Sequence, residues 1–223
     1  MIVVHHLNAS RSHRILWMLE ERGVPYEIKK YQRDPKTMLA PPELRTVHPL
    51  GKAPVVTDGG RTLAESGAIL EYLVDTYGQG RFRPPEGTDE RLRYTFWMHY
   101  AEGSAMPPLL LKLVATRIGT APVPFFIKPV TKMIASRLQA EFVDPQIETH
   151  FSFVEMELAK SAWLAGDELT AADVQMSFPL EGALARGGIA ERSPRISALI
   201  AKVHARPAYT RAVEKGGALE ILG

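Results

Sequence analysis

One change of pattern along the chain most limits the folds that it can adopt. Up to residue 78, short β-branched runs typical of strands alternate with segments of helical apolar periodicity. From residue 88 onward the apolar residues recur only at helical spacing. Between these parts lies QGRFRPPEG, a stretch rich in glycine, proline and arginine. We therefore predict an α/β domain at 1–78, a linker at 79–87 and an all-helical domain at 88–223.

The first residues predict a strand, a helix and a second strand. Ile2–Val4 is a short β-branched run, and Ser10 or Ser12 can cap the helix that follows. Gly23 ends that helix, and Tyr26–Ile28 has the composition of a second strand. A strand, a helix and a strand at this spacing are typical of a βαβ unit.

A hairpin and another helix complete the predicted α/β domain. Val55–Thr57 and Arg61–Leu63 flank Asp58-Gly59, which is a strong hairpin signal. The next apolar residues have helical spacing, in a helix that begins near Glu65-Ser66 and stops at Gly78.

Prolines and one capping motif mark where helices of the predicted helical domain begin or end. Residues 89–105 have helical spacing, and Met106-Pro107-Pro108 is expected to kink or break that helix, because each proline removes a donor and clashes with the preceding turn. Asp144-Pro145 can open a later helix. Thr170 and Asp173 predict a capping box, so we interpret Asp173 as a structural cap rather than a catalytic acid.

Composition and charge exclude several classes of function. The chain has no cysteine, which excludes disulfides, thiolate metal sites and cysteine nucleophiles. No two of the seven histidines are spaced i, i+3 or i, i+4, so we expect no metal site. Lys and Arg number 27 against 25 Asp and Glu, a net charge of +2 that gives no electrostatic case for nucleic acid or membrane partners. No targeting segment is visible, and we expect a cytoplasmic protein.

Three segments are expected to converge at one end of the α/β domain. They are residues 8–12 at the exit of the first strand, 51–54, and Glu65-Ser66 at the start of a helix. A helix N-terminus offers free N–H groups and a positive dipole end, which together favour an anion. From the residues alone, Ser66 could equally be a cap, Glu65 a dipole partner and Lys52 a solvated lysine.

These segments carry a resemblance to a known family. The matching pieces, in order, are HLNASRS with RILW, then HPLGKAP, then ESGAI, then LTAAD. The chain resembles a cytosolic glutathione transferase, specifically a bacterial serine-type member. The resemblance implies a thioredoxin-like N-terminal domain, an all-α helical C-terminal domain and a homodimer. It also implies that the Ala53–Pro54 peptide bond is cis.

The resemblance further implies how glutathione, the co-substrate, is held. Glu65 binds the α-amino group, and the hydroxyl and N–H of Ser66 bind the γ-glutamyl carboxylate. Ala53, which precedes Pro54, pairs main chain to main chain with the cysteinyl unit. Lys52 approaches the glycine carboxylate.

Ser10 is the catalytic candidate, because serine-type members place their hydroxyl four residues before the position of Arg14. A free thiol has a pKa of about 8.5, and lowering it by about two units requires about 2.7 kcal/mol of preferential thiolate stabilisation. One hydroxyl donor at a helix N-terminus can supply a good share of that, since hydrogen bonds to charged groups are worth about 1.5–3 kcal/mol. The sequence leaves open Ser12 or Asn8 as the donor, with Ser10 only a cap.

The second substrate is expected to be a small hydrophobic electrophile bound between the domains. Its candidate walls, which core packing would explain equally well, are Trp97, Tyr100, Met106 and Leu109. Three functions stay open: conjugation of glutathione to an electrophile, glutathione-dependent reduction of a peroxide or disulfide, and non-catalytic binding on the same fold. The intact glutathione-binding set favours an enzyme, because a scaffold has no need of it.

Overall fold

A four-stranded sheet forms the centre of the N-terminal part. The computed structural model describes residues 1–217. The strands are β1 (Ile2–Leu7), β2 (Tyr26–Tyr31), β3 (Val55–Asp58) and β4 (Arg61–Ala64), in the order β2-β1-β3-β4. β1 is parallel to β2, and β3 is antiparallel to both β1 and β4. The predicted strands and hairpin are confirmed, and β1 and β2 each extend three residues beyond the predicted runs.

Three helices accompany the sheet: α1 (Ser12–Arg22), α2 (Leu44–Val47) and α3 (Ser66–Tyr77). α1 joins the parallel strands β1 and β2, which confirms the predicted βαβ unit. α1 ends at Gly23, whose positive φ of 64° suits a residue without a side chain. All residues from Ser12 to Glu20 are buried, so both faces of α1 are covered.

From Asp89 onward, the regular secondary structure of the described residues is helical. The α-helices are α4 (Asp89–Tyr100), α5 (Met106–Thr120), α6 (Lys128–Leu138), α7 (Asp144–Glu157), α8 (Ala171–Gly182), α9 (Pro194–His204) and α10 (Pro207–Gly216). None of the helices in this described part is long and apolar enough to span a bilayer. The α/β-then-helical architecture is confirmed, whereas the boundaries at 78 and 87 stay predictions. Residues 218–223 of the predicted helical domain lie outside the described residues.

The predicted break of the helix at Met106 is wrong, and the alternative, a kink, stays a prediction. A π-helical segment, Ala101–Ala105, connects α4 to α5 without a break, and the N–H of Met106 bonds to the Ala101 carbonyl. Pro107 and Pro108 therefore fall in the first turn of α5, after a wider turn, where a missing donor and a proline ring are tolerated. The same device joins α6 to α7: a π segment at Gln139–Val143 precedes Asp144.

The capping box at α8 is confirmed. One carboxylate oxygen of Asp173 accepts the N–H and the hydroxyl of Thr170, both at 2.8 Å. The other oxygen accepts the N–H of Leu164 at 2.8 Å. Asp173 is buried, so its three bonds fix the start of α8 against the preceding loop.

One hydrophobic core extends through both parts of the molecule. It includes Leu16 and Trp17 of α1 together with Tyr209 and Ala212 of α10. The rings of Trp17 and Tyr209 meet edge to face with centroids 5.6 Å apart. Around this contact, Glu20 of α1 pairs with Arg211 and Lys215 of α10.

Candidate active site

The first of two adjoining cavities brings the predicted glutathione-binding residues together. This cavity of about 490 Å³ is lined by the five predicted residues Lys52, Ala53, Pro54, Glu65 and Ser66. The two main segments arrive from different directions, one preceding β3 and the other opening α3. The fold therefore places these residues around one cavity, in agreement with the expectation that their segments converge.

The start of α3 has the properties of an anion site. Ser66 is the first residue of the helix and is buried, while the exposed Glu65 before it adopts a φ of 71°. A positive φ at a non-glycine residue stores strain of order 1–3 kcal/mol and is found at ligand sites. The first N–H to bond back along the helix is that of Ile69, to the Glu65 carbonyl at 2.9 Å. The N–H groups of the first turn of α3, before Ile69, consequently have no partner within the helix and are available to a ligand.

The segment before β3 supplies the opposite wall. The Ala53–Pro54 bond is cis, as the resemblance implies. Ala53 is half-buried and contributes to both cavities, whereas Lys52 is exposed. An exposed lysine at this rim can meet a carboxylate that remains partly in solvent.

Sequence reasoning missed three charged residues at the first cavity: Arg11, Arg33 and Glu102. Arg11 Nε lies 3.2 Å from a Glu102 carboxylate oxygen. Glu102 also accepts a bond of 2.6 Å from Nη1 of the buried Arg14. Glu102 belongs to the π segment that the proline pattern did not predict, so its approach to α1 could not be anticipated.

The second cavity, of about 200 Å³, lies against α5 and α8. It shares Arg11, Arg33, Ala53 and Leu110 with the first cavity and adds Ser10. The other described lining residues are Ala9, Met106, Leu109, Leu113, Phe178, Gly182 and Arg186. Its walls are thus mainly apolar, with basic groups at intervals.

Of the four predicted second-substrate residues, Met106 and Leu109 line this cavity, and Trp97 and Tyr100 do not. Trp97 is buried and stacks on Phe153, with ring centroids 5.7 Å apart. The hydroxyl of Tyr100 bonds to Nδ1 of His150 at 2.7 Å. Helical spacing could not distinguish the two pairs, because all four side chains pack inward from one continuous helical run.

Ser10 belongs to a chain of short hydrogen bonds below the cavity. Its hydroxyl donates to the Leu7 carbonyl at 2.7 Å and lies 2.6 Å from the Ser12 hydroxyl. The Ser12 hydroxyl in turn lies 2.8 Å from Nδ1 of His6. Ser12 is fully buried, and Asn8 accepts the N–H of Arg33 at 2.8 Å.

His6 determines the direction of these bonds. Burial, together with the neighbouring His13, lowers the pKa of His6 to about 4, so the imidazole is neutral near pH 7. In the tautomer with its proton on Nε2, Nδ1 of His6 accepts the proton of Ser12. With the Ser12 proton directed to His6, the Ser12 oxygen is free to accept the proton of Ser10.

Comparisons with known proteins agree with this architecture. The chain matches the glutathione S-transferase N-terminal domain over residues 1–75 and the C-terminal domain over residues 116–207. It is 40% identical to glutathione S-transferase 3 of Schizosaccharomyces pombe, covering 81% of this chain and 73% of that protein. Glutathione S-transferase 1 of Saccharomyces cerevisiae is 33% identical, with 98% and 97% covered. A solved glutathione S-transferase from Actinobacillus pleuropneumoniae superposes with a TM-score of 0.81 at 35% identity, over 99% of this chain and 95% of that one.

A thioredoxin-like α/β part followed by a helical part, with a cavity at their junction, defines a class of two-part transferases. The chain belongs to the glutathione S-transferase family, and it is an enzyme whose co-substrate is glutathione. The bacterial serine-type affiliation stays a prediction, since similar proteins include yeast relatives at 40% and 33% identity as well as the bacterial structure at 35%. Within residues 1–217, no cluster of three His, Asp or Glu residues could hold a metal ion.

Proposed function

We propose that this protein is a serine-type glutathione transferase, in which Ser10 holds the glutathione sulfur as a thiolate for attack on a small apolar electrophile. The observation that carries the proposal is the position of Ser10. Of the three candidate donors it is the one that lines the second cavity, where Met106 and Leu109 supply apolar walls. Ser12 is enclosed, and the Asn8 side chain is bonded to Arg33.

The first cavity would hold the rest of the tripeptide. The hydroxyl and N–H of Ser66 at the start of α3 would bind the γ-glutamyl carboxylate, and Glu65 the α-amino group. Ala53 would pair with the cysteinyl main chain beside Pro54, and Lys52 would meet the glycine carboxylate. These roles follow the family resemblance. Their support is that one cavity contains a helix N-terminus, a carboxylate and an ammonium group, which are complementary to the charges of glutathione.

The hydrogen-bond chain supports Ser10 as a donor to sulfur. Because the Ser12 proton is directed to His6, the Ser10 hydroxyl can rotate between the Leu7 carbonyl, the Ser12 oxygen and a bound thiolate. An anionic sulfur competes well for that proton, since bonds to ionised acceptors are stronger than neutral ones. Arg33 contributes to both cavities, and its described side-chain bonds go only to main-chain carbonyls, so its positive charge lowers the pKa of a nearby thiol.

The reaction balances without a metal or an external redox agent. The thiol proton leaves to solvent, and the thiolate electron pair forms a carbon–sulfur bond. The leaving group, chloride in the case of an aryl chloride, departs with the electrons of its bond to carbon. The protein contributes by binding, orienting and ionising the thiol, which accelerates this step.

Ser10→Ala tests the assignment. We expect turnover of 1-chloro-2,4-dinitrobenzene to fall by roughly 10–1000-fold, with glutathione affinity within a few-fold, because the lost bond is made chiefly to the thiolate. The pKa of the bound thiol, followed by thiolate absorbance, should rise by about 1–2 units. Ser152 is an exposed serine on α7, and Ser152→Ala is the control, whose turnover and thiol pKa should match those of the wild type. Unchanged turnover and thiol pKa in Ser10→Ala would remove Ser10 from this role.

The same thiolate could instead reduce a peroxide or a disulfide. That chemistry needs no thiol from the protein, which has no cysteine. Parallel assays of an organic hydroperoxide, a low-molecular-weight disulfide and an aryl chloride distinguish the two activities. A turnover confined to the hydroperoxide or the disulfide would replace conjugation by reduction as the function.

We further propose that the protein acts as a homodimer in the cytoplasm. Support for the dimer comes from α4, where Leu92 and Phe96 are 72% and 47% exposed. Exposed apolar side chains on one helix are typical of an association surface. Support for the compartment comes from the co-substrate and the composition, because glutathione keeps the cytosol reducing and the chain carries no disulfide-forming residue.

A further inference from the structure

The second cavity has an unbalanced charge. Three arginines, Arg11, Arg33 and Arg186, line it, and no aspartate or glutamate is among its described lining residues. Glu102 lies near Arg11 and compensates that charge. The described bonds of the Arg33 side chain go to main-chain carbonyls, those of Asn8, Ala9 and Met38. A carbonyl satisfies a donor but carries no net negative charge.

Arg186 is the arginine with the least compensation. Its Nη1 atom is buried without a hydrogen-bond partner among the described residues. Burial and the nearby Arg117 lower the pKa of Arg186, and burial, Arg11 and Arg117 lower that of Arg33. Arg186 is half-buried, and the burial of Nη1 without a partner is costly, so an anionic group bound at this guanidinium would reduce that cost.

The position of Arg186 separates it from the glutathione-binding residues. It lies in a π segment, Ala183–Gly187, that follows α8, and it does not line the first cavity. It lines the second cavity and also an adjacent one with Leu109, Lys112 and Leu113. The apolar wall of α5 therefore runs from the cavity that contains Ser10 to the guanidinium of Arg186.

We propose that the electrophile carries a carboxylate, which Arg186 binds, while its apolar reactive end lies against α5 beside Ser10. The proposal rests on the proposed function and specifies its substrate class: amphipathic electrophiles with one anionic end. Met106, Leu109 and Leu113 contact the apolar body, and the guanidinium bonds the two carboxylate oxygens. Arg186 is thus a specificity-determining residue.

The test uses two electrophiles that share one reacting ring. N-(4-chloro-3-nitrobenzoyl)glycine carries a carboxylate, and its glycinamide replaces that group with a neutral amide. We expect the wild-type kcat/KM, corrected for the uncatalysed rate, to be at least about 10-fold higher for the acid. Arg186→Gln should lower kcat/KM for the acid by about 10–100-fold and change it for the amide less than about threefold. KM for glutathione should not change.

Lys112→Gln is the matched control. Lys112 lines the adjacent cavity, but its ammonium already pairs with Asp144 at 2.9 Å. Its removal should leave the preference for the acid intact. If Lys112→Gln abolishes the preference as fully as Arg186→Gln does, a diffuse positive field explains it and the specific role of Arg186 is wrong.

Failure of this proposal differs from failure of the proposed function. Equal wild-type rates for acid and amide would overturn the proposal and leave conjugation established. If neither compound is turned over, calorimetry with S-benzylglutathione and S-(4-carboxybenzyl)glutathione decides. Tighter binding of the carboxylate by about 10-fold or more, lost in Arg186→Gln, supports the anion site. Equal affinity of the two conjugates overturns it.

Discussion

At the scale of single residues, His6 links the stability of the fold to the orientation of the Ser10 hydroxyl, which we propose as the catalytic group. It lies on β1, is buried, and holds the Ser12 hydroxyl 2.8 Å from its Nδ1 atom. Its pKa of about 4 keeps it neutral over the pH range in which a transferase operates. Protonation would turn Nδ1 into a donor, so the Ser12 proton could no longer be directed to it.

The buried His6 predicts a pH dependence of stability. Its pKa is about 4 in the fold against 6.5 when unfolded, so the unfolded chain binds more protons between these values. Stability should therefore be complete above pH 6.5 and fall as the pH decreases. Between pH 7 and pH 5 the free energy of unfolding, measured by urea denaturation, should decrease in both His6→Asn and the wild type. We expect this decrease to be about 2 kcal/mol smaller in His6→Asn than in the wild type. His99→Asn, at an exposed position, should retain the full fall, and identical pH profiles for His6→Asn and the wild type would refute the argument.

The sequence predicts part of the site at the residue scale. Lys52, Glu65 and Ser66 could be assigned to one cavity, because their motifs fix their places at strand and helix ends. Arg33 and Arg186 could not, since an unpaired arginine and a paired one look alike in a sequence. Whether a guanidinium has a carboxylate partner depends on packing between distant segments.

At the scale of secondary-structure elements, the start of α8 is fixed by three hydrogen bonds to the buried Asp173 carboxylate. Asp173→Ala would leave the buried N–H groups of Leu164 and Thr170 without acceptors. We expect a loss of about 2–4 kcal/mol in the free energy of unfolding, the sum of a lost cap and two unsatisfied donors. The exposed Glu168→Ala is the control, and it should stay within about 0.5 kcal/mol of the wild type. A loss below about 1 kcal/mol for Asp173→Ala would contradict a structural role of this size.

The cap was predictable and the π segments were not, for a physical reason. A capping box depends on four consecutive residues, Thr170 to Asp173, and is therefore visible in the sequence. The course of the chain at Met106-Pro107-Pro108 depends on whether the preceding turn widens from α to π. That choice is determined by the packing of neighbouring helices, and no local pattern reports it.

At the scale of the whole molecule, the helical part covers what the α/β part leaves apolar. Trp17 and Leu16 on α1 meet α10, which lies nearly 200 residues later in the chain. The sequence predicts that α1 belongs to a βαβ unit, which places one face of the helix on the sheet. It does not reveal that the other face is covered too, because the covering residues are remote and include ionic partners, as with Glu20 and Arg211.

The proposed homodimer gives a prediction at this scale. Light scattering should give about twice the 24.8 kDa mass of the chain. Leu92→Lys on α4 should shift the mass toward one copy, because a charge would be buried in the interface. Phe125→Lys changes a still more exposed apolar residue outside α4 and is the control, expected to remain dimeric. A wild type that runs as a single copy, or a monomer produced only by Phe125→Lys, would contradict an interface on α4.

The core shared by α1 and α10 restricts how the two halves can be recombined. A chimaera that joins the first 87 residues of this chain to the helical half of a relative would place foreign side chains on Trp17 and opposite Glu20. In such a chimaera, the interface between α1 and α10 would contain side chains of mismatched volume and charges without partners. Exchanging substrate preference between relatives should therefore succeed more often by grafting the α5 and Arg186 surfaces than by swapping halves.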